Sequence, residues 1–149
     1  MTINIKITSE LIDINEEYSL ISRLQNAGAV VTFSGQVRIN GEESLLQAME
    51  LEHYPGMTEA AIQAIVEQAQ ARWSLLGVTV IHRVGRLLPG DCIVWVATAS
   101  EHRAAAFAAA EFIMDYLKTR APFWKKEITA SGGQWVDARE TDTQAASRW

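Results

Sequence analysis

Positive charge gathers in one short stretch of an otherwise acidic chain. Lys118, Arg120, Lys125 and Lys126 stand close together, while the 149 residues carry a formal charge of −5. Cations at a helix C-terminus are mildly stabilising, so Lys118 and Arg120 are explained without function if a helix ends there. That reason does not extend to Lys125 and Lys126, which follow Pro122-Phe123-Trp124 on a new segment. An anion-binding site and a merely solvated helix end are both open here. Neighbours on a strand point to opposite faces, so only one of Lys125 and Lys126 is expected to enter a given pocket.

A second cationic group, His102-Arg103, precedes the alanine-rich run AAAFAAAEF. Arg is misplaced at a helix N-terminus by a few tenths to about 1 kcal/mol, because the free amides there are already partly positive. The placement makes sense if an anion binds between amides and cation, or if Arg103 reaches a carboxylate and His102 is a neutral hydrogen-bonding residue. Arg38 follows an apolar strand and precedes a polar loop, where strand ends deliver side chains to sites. Arg139, beside Glu140 and Asp142, is a weaker candidate of the same kind.

The chain offers cations but no evident nucleophile. Cys92, the single cysteine, lies in a strand-like run (CIVWVATA) and reads as a small core residue. Ser34 sits in FSGQ, outside the GxSxG elbow of hydrolases. Neither GxxxxGK[ST] nor GxGxxG occurs. The three histidines, His53, His82 and His102, are well separated, so no metal site is expected. His53 and His82 read as satisfied sheet histidines. A lysine- and arginine-lined site of this sort binds and polarises, and the reactive group comes from elsewhere.

Several elements must position these groups. Ile3-Ile5-Ile7 alternates like a first strand. A helix is expected near Asn15–Gln25, then a strand over Ala29–Arg38 with Gly35 as a bulge or close approach. Asn40-Gly41-Glu42-Glu43 has turn chemistry and reads as a mobile loop, followed by a strand over Leu46–Tyr54. Thr58 is placed as the cap of a helix running to about Trp73, with Ile62, Ile65, Ala69 and Trp73 as its apolar stripe. Gly77–Leu87 and Cys92–Ala99 read as strands joined by Pro89-Gly90-Asp91. Ser100 is placed as the cap of a long helix reaching Arg120, with Phe107, Ala110, Met114 and Leu117 facing the sheet. Lys118, four residues after Met114, stands at the edge of that face. Pro122 ends the helix, and Phe123–Thr129 and Gln134–Asp137 form a last hairpin around Ser131-Gly132-Gly133. Hairpins with interspersed helices imply an α+β fold with a largely antiparallel or mixed sheet in a single domain, 1–149.

Composition sets the outer limits. Hydrophobic content of 48% with 21% charged residues is ordinary for a globular protein. The first residues, MTINIKITSE, lack the pattern of a secretory signal, and no apolar run approaches the roughly 18–20 residues that span a bilayer. A soluble, cytoplasmic protein is expected, with no membrane partner. The acidic balance disfavours nucleic acid.

Longer runs carry a resemblance. GAVVTFSGQVR (28–38), LEHYPGMTE (51–59), RW (72–73), VTVIHRVGRLLPGD (78–91), HR (102–103), FIMDYLKTRAPFWKKE (112–127) and RW (148–149) stand in order along nearly the whole chain. In them the sequence resembles the molybdopterin synthase catalytic (large) subunit, the MoaE family. The resemblance implies an α/β-hammerhead-like fold and a sulfurtransferase of molybdenum cofactor biosynthesis with no cofactor of its own. In that family a small ubiquitin-like subunit brings sulfur as a C-terminal thiocarboxylate. The large subunit binds cyclic pyranopterin monophosphate and directs two sulfur transfers, forming the dithiolene of molybdopterin. A homodimer with one small subunit on each half, a heterotetramer, is implied as well.

Lys118 in YLKTRAP and Lys125 in PFWKK match the family's two active-site lysines. The resemblance implies acid–base or electrostatic assistance for Lys118, and stabilisation of developing charge or of the partner's carboxylate for Lys125. Arg38, His102 and Arg103 match its anion-binding positions, and Arg139 is a further contact. Met114 and Phe33 are expected as pocket walls or as ordinary core. Gln36 departs from a lysine common in relatives, Ile39-Asn40-Gly41 from a more polar loop, and Lys126 from a frequent arginine. Two other readings stay open: a non-catalytic docking module for a ubiquitin-like carrier, and a phosphate-ligand sensor.

Overall fold

The run GVTVIHR joins β-branched side chains without a break, and it forms β4 (Gly77–Arg83), buried along all 7 residues. β4 pairs in parallel with β1 (Thr2–Thr8) and antiparallel with β6 (Cys92–Ser100), and β6 pairs antiparallel with β2 (Ala29–Gln36). A second, wholly antiparallel sheet has the order β5 (Gly85–Leu87), β3 (Leu46–His53), β7 (Phe123–Thr129), β8 (Gly132–Val136). Four helices complete the fold: α1 (Ile14–Ser22), α2 (Met57–Arg72), α3 (Arg103–Arg120) and α4 (Glu140–Ser147). The structure, a computed structural model, describes residues 1–40, 45–136 and 140–149. The expected α+β class with mixed and antiparallel sheets is what forms.

The first sheet is covered on both faces, as the alternation of its strands dictates. Val78, Val80, Val94 and Val96 face α2 and α3, packing with Ile62, Val66, Phe112 and Ile113. Ile81, Trp95, Ala97 and Ala99 face the other way, against Ile21 of α1. α1 starts at Asp13, whose carboxylate accepts from the Glu16 amide at 3.1 Å. It is tied to β1 through buried Glu17, which accepts from Lys6 Nζ at 2.7 Å and Asn4 Nδ2 at 3.1 Å. The second sheet has a smaller cluster under it, with Val37, Leu46, Met49, Leu51 and Leu87.

The chain's last two residues dock on the helices. Trp149 packs edge-on against Trp73 and Phe112, with centroids 5.6 Å away in each case. Arg148 pairs with Glu111 at 2.8 Å and Asp115 at 3.0 Å on α3. These contacts hold α4 against α3.

Several boundaries depart from expectation for identifiable reasons. Gly77–Leu87 is not one strand: Gly85 takes φ +89°, and the chain turns out of the first sheet into the second. The Pro89-Gly90-Asp91 turn is present, with Asp91 Oδ2 accepting from the Leu88 amide at 2.9 Å. Thr58 does not cap α2; Gly56 holds that position, and the Glu59 carboxylate accepts from its amide at 3.0 Å. Ser100 does not cap α3 either, since it ends β6 and its hydroxyl donates to the Ser74 carbonyl at 2.9 Å. His102 is the residue before the first helical turn, and it makes no side-chain cap. Phe107 does not face the sheet: it is 61% exposed, and Ala106, Ala109, Ala110, Ile113 and Leu117 form the buried face instead. The loop expected at 40–43 lies, from Gly41 onward, outside the described residues.

Candidate functional site

Where α3 ends, three elements converge on a cleft of about 340 Å³. The helix stops because Ala121 precedes Pro122 and adopts the extended conformation, φ −79° and ψ 129°. The joint is then pinned from below: buried Thr58 donates its hydroxyl to the Pro122 carbonyl at 2.9 Å and accepts from the Tyr54 amide at 3.0 Å. Met114 and Lys118, one helical turn apart, both face the cleft, as their spacing requires. β7 begins immediately beyond the proline. Phe123, Lys125 and Glu127 alternate onto its cleft face, with Lys125 opposite Leu51 and Glu127 opposite Met49. Lys126 points the other way, its ammonium 5.7 Å from the centroid of the Trp135 ring. One lysine of the pair enters the pocket.

Arg38 is delivered by the extension of β2. The ladder slips between Gly35 and Gln36, and a Cβ at Gly35 would stand 2.6 Å from Val94 Cγ1, so only glycine fits that approach. Val37 is then clamped to the 88–91 turn by two backbone hydrogen bonds, to Asp91 at 2.9 Å and from Gly90 at 2.8 Å. With Val37 turned inward, Gln36, Arg38 and Asn40 face the cleft. Its floor is apolar, built from Leu46, Met49, Leu51, Ile93 and Leu117, and its rim carries Arg38, Lys118 and Lys125. Glu127 and Asp142 are the carboxylates that line it among the described residues. Apolar walls lower the local dielectric, so the three cations act on an anion there more strongly than in water.

The cleft does not contain every expected residue. His102 and Arg103 are exposed at the first turn of α3, and 15 residues of helix put them about 22 Å from Lys118. Phe33, expected as a wall or as core, is neither: it does not line the cleft and is 42% exposed on β2. Arg139 lies outside the described residues. Cys92 is half-buried at the start of β6, with its Sγ donating to the Val94 carbonyl; burial pushes its thiol pKa up, which keeps it a poor nucleophile.

Three ionisable lining residues, His82, Glu127 and Asp142, are absent from the candidates that the sequence offers. His82 is in part the satisfied sheet histidine expected from the sequence: Nδ1 lies 2.8 Å from the Arg83 carbonyl oxygen. Yet it shares the even-numbered face of β4 with Val78 and Val80, and that face runs on into the cleft. Burial pushes its pKa down to about 4, partly offset by the Arg83 hydrogen bond and reinforced by the charges of Lys118 and His53. Its phase along the strand was the signal available.

Fold and cleft together describe an α+β protein with a pocket lined by two lysines and an arginine that holds no cysteine, serine or threonine among its described lining residues. The family model described as MoaE protein matches residues 7–120. The molybdopterin synthase catalytic subunit of Escherichia coli (strain K12) is 57% identical over 136 residues, covering 91% of each chain. The MoaE molybdopterin biosynthesis protein from Burkholderia ambifaria MC40-6 superimposes with TM-score 0.85 at 52% identity, covering 100% of this chain and 98% of that one. A complex of subunits 1 and 2 of molybdopterin-converting factor from Helicobacter pylori 26695 shares the fold at 20% identity, with TM-score 0.71 over 93% and 90% of the chains. This chain belongs to the MoaE family.

Proposed function

We propose that this chain is the catalytic subunit of a cytoplasmic molybdopterin synthase. It transfers sulfur from the C-terminal thiocarboxylate of a small ubiquitin-like subunit to cyclic pyranopterin monophosphate, forming the dithiolene of molybdopterin. The observation that carries this reading is the convergence of Lys118, Lys125 and Arg38 on a cleft with no cysteine, serine or threonine among its described lining residues. Such a cleft has the chemistry to receive an anionic tail that supplies the nucleophile. The Helicobacter pylori neighbour, a complex of two subunits, supports a protein partner for the fold.

Within the cleft, Lys118 assists sulfur attack by electrostatic stabilisation and proton transfer, and Lys125 holds the tail's carboxylate as charge develops. Arg38 binds the substrate phosphate, and Met114 forms a wall beside Lys118. His102 and Arg103, about 22 Å away on the same helix, complete the phosphate site from a second copy of the chain. β2 is an edge strand of its sheet, and Phe33 and Phe107 are exposed beside it. Its first residue, Ala29, pairs with Ser100 near His102, while its far end leads to Arg38. A two-fold-related copy laid antiparallel along β2 sets Arg103 of one chain beside Arg38 of the other. Arg139 is a further phosphate contact in this reading.

One single-turnover experiment tests both parts. The chain is mixed with a thiocarboxylated small subunit and cyclic pyranopterin monophosphate, and molybdopterin is read as its fluorescent oxidised derivative. Lys118→Ala and Arg103→Ala each lose product on the order of 100-fold. Co-refolding the two variants restores a substantial share, because mixed dimers contain one intact site. Full activity of Lys118→Ala sinks the assigned chemistry, and failure of the mixture to recover sinks the shared site.

A further inference from the structure

Arg83 carries a full charge into the protein interior, and no step above uses it. It ends β4 on the face opposite His82, is 7% exposed, and does not line the cleft. Burying a guanidinium is costly unless its charge is answered. Nη2 donates to the Ser9 carbonyl at 3.3 Å, just past the end of β1. Nε and Nη1 make no hydrogen bond among the described residues. The charge is answered instead by the Asp91 carboxylate, whose Oδ2 stands 3.7 Å from Nη1. That same oxygen accepts from the Leu88 amide at 2.9 Å and closes the 88–91 turn.

The turn so fixed is the one that holds Arg38. The ladder of β2 with β6 ends at Gln36, so beyond it other bonds must set the course of the chain. The Asp91 carbonyl accepts from the Val37 amide at 2.9 Å, and the Val37 carbonyl accepts from the Gly90 amide at 2.8 Å. On the other side of Arg38, the Ile39 carbonyl accepts from the Leu46 amide at 2.9 Å, which ties the segment to β3. Arg38 is therefore slung between two tethers, one on each sheet. A tether orients a side chain only as well as it is itself anchored. We infer that Arg83 and Asp91 form a brace for Arg38: two positioning residues outside the cleft that anchor the 88–91 turn to the end of β4 and so set the direction in which Arg38 enters. The functional consequence rests on the reading of Arg38 as the phosphate-binding residue, whereas the brace itself does not.

Two substitutions and two measurements separate this role from plain stability. Arg83→Met keeps a long apolar stem and removes the cation. Asp91→Asn keeps an oxygen for the Leu88 amide and removes the anion; its side chain is 31% exposed, so the change is tolerated even where Arg83→Met folds poorly. Amide hydrogen exchange of the chain alone, followed by NMR, reports on the brace. In each variant the Val37 and Gly90 amides lose protection by about tenfold or more, while Val80 and Val96 in the central ladders stay within about twofold of wild type. Unchanged exchange at Val37 and Gly90 overturns the brace, and so does an equal loss at all four amides, which is general destabilisation. Binding of cyclic pyranopterin monophosphate reports on the consequence. Each variant weakens it about fivefold or more, with the single-turnover rate at saturating substrate within about threefold of wild type. In an Arg38→Ala background neither variant weakens binding further, because the group they orient is gone. Equal weakening in both backgrounds, or none in either, overturns the inference. If Arg38→Ala itself binds the substrate like wild type, the phosphate reading falls, and the exchange result still decides on the brace.

Discussion

β4 and β7 are both 7 residues long, and they are built from opposite materials. β4 is VTVI flanked by glycine and His-Arg, has hydrogen-bonded strands on both sides, and is buried throughout. β7 is FWKKEIT; Glu127 is its one buried residue, one face lines the cleft, and Trp124 on the other is 48% exposed. The two strands never meet in a ladder, yet α3 joins them: its buried face packs on the first sheet, and its last turn delivers Lys118 beside the second. The difference teaches where folding free energy and chemistry are stored. Apolar burial around the first sheet supplies the rigid frame that brings Arg38, Lys118 and Lys125 from three elements to one cleft beside the second.

The largest effect should come from breaking the first region. Phe112 is fully buried and touches Trp73 at 5.3 Å, Tyr116 at 4.6 Å and Trp149 at 5.6 Å between centroids. Phe112→Ala leaves a cavity under α3 and is expected to cost about 3–5 kcal/mol in urea unfolding. An equivalent truncation on the open face of the second sheet, Trp135→Ala, is expected to cost about 1 kcal/mol or less, since the ring is 53% exposed. Similar losses at the two positions would erase the contrast between the sheets.

His82 belongs to both regions, and its titration sharpens the comparison. Its folded pKa of about 4 lies below the ordinary 6.5, so the unfolded chain binds the extra proton first. The stability it contributes is complete above pH 6.5, falls as the pH drops through that window, and is gone below about 4. Integrated over the shift, the loss is on the order of 3 kcal/mol. His82→Phe is expected to remove this part of the acid slope in urea unfolding measured from pH 7 to 4. A slope identical to wild type would mean that the imidazole is not held neutral by the fold.

Sequence reasoning succeeded where one local rule governed and failed where distance did. The apolar runs GVTVIHR and CIVWVATA located the central strands, and Pro122 located the end of α3, because those rules act within a few residues. That only one of Lys125 and Lys126 enters the cleft followed from the strand pleat, and that it is Lys125 followed from the family resemblance. Thr58 and Ser100 looked like helix caps because their residue types favour that role, but tertiary contacts to Pro122 and Ser74 claimed their hydroxyls. Likewise Gly77–Leu87 looked continuous, because nothing in its apolar pattern shows that Gly85 takes positive φ and hands the chain to another sheet. The cations of the site were all visible as residues. That His102 and Arg103 stand a helix-length from Lys118 was implicit in the same helix assignment, since 15 residues of rigid α3 fix the separation.

The smallest expected effect isolates the two faces of β7 from each other. Lys125 and Lys126 have the same chemistry and adjacent backbone positions, so net charge and strand propensity change equally when either becomes alanine. Lys125→Ala removes a cation from the cleft and is expected to slow single-turnover product formation about 30-fold or more. Lys126→Ala removes only the contact with the exposed Trp135 ring, worth about 0.5–1 kcal/mol of stability, and is expected to change the rate by less than about threefold. If the two variants slowed product formation equally, general attraction of the anionic tail by the strand's charge would explain the result better than a placed ammonium. A large difference between neighbours on one strand has no such explanation, because the pleat is the only thing that distinguishes them.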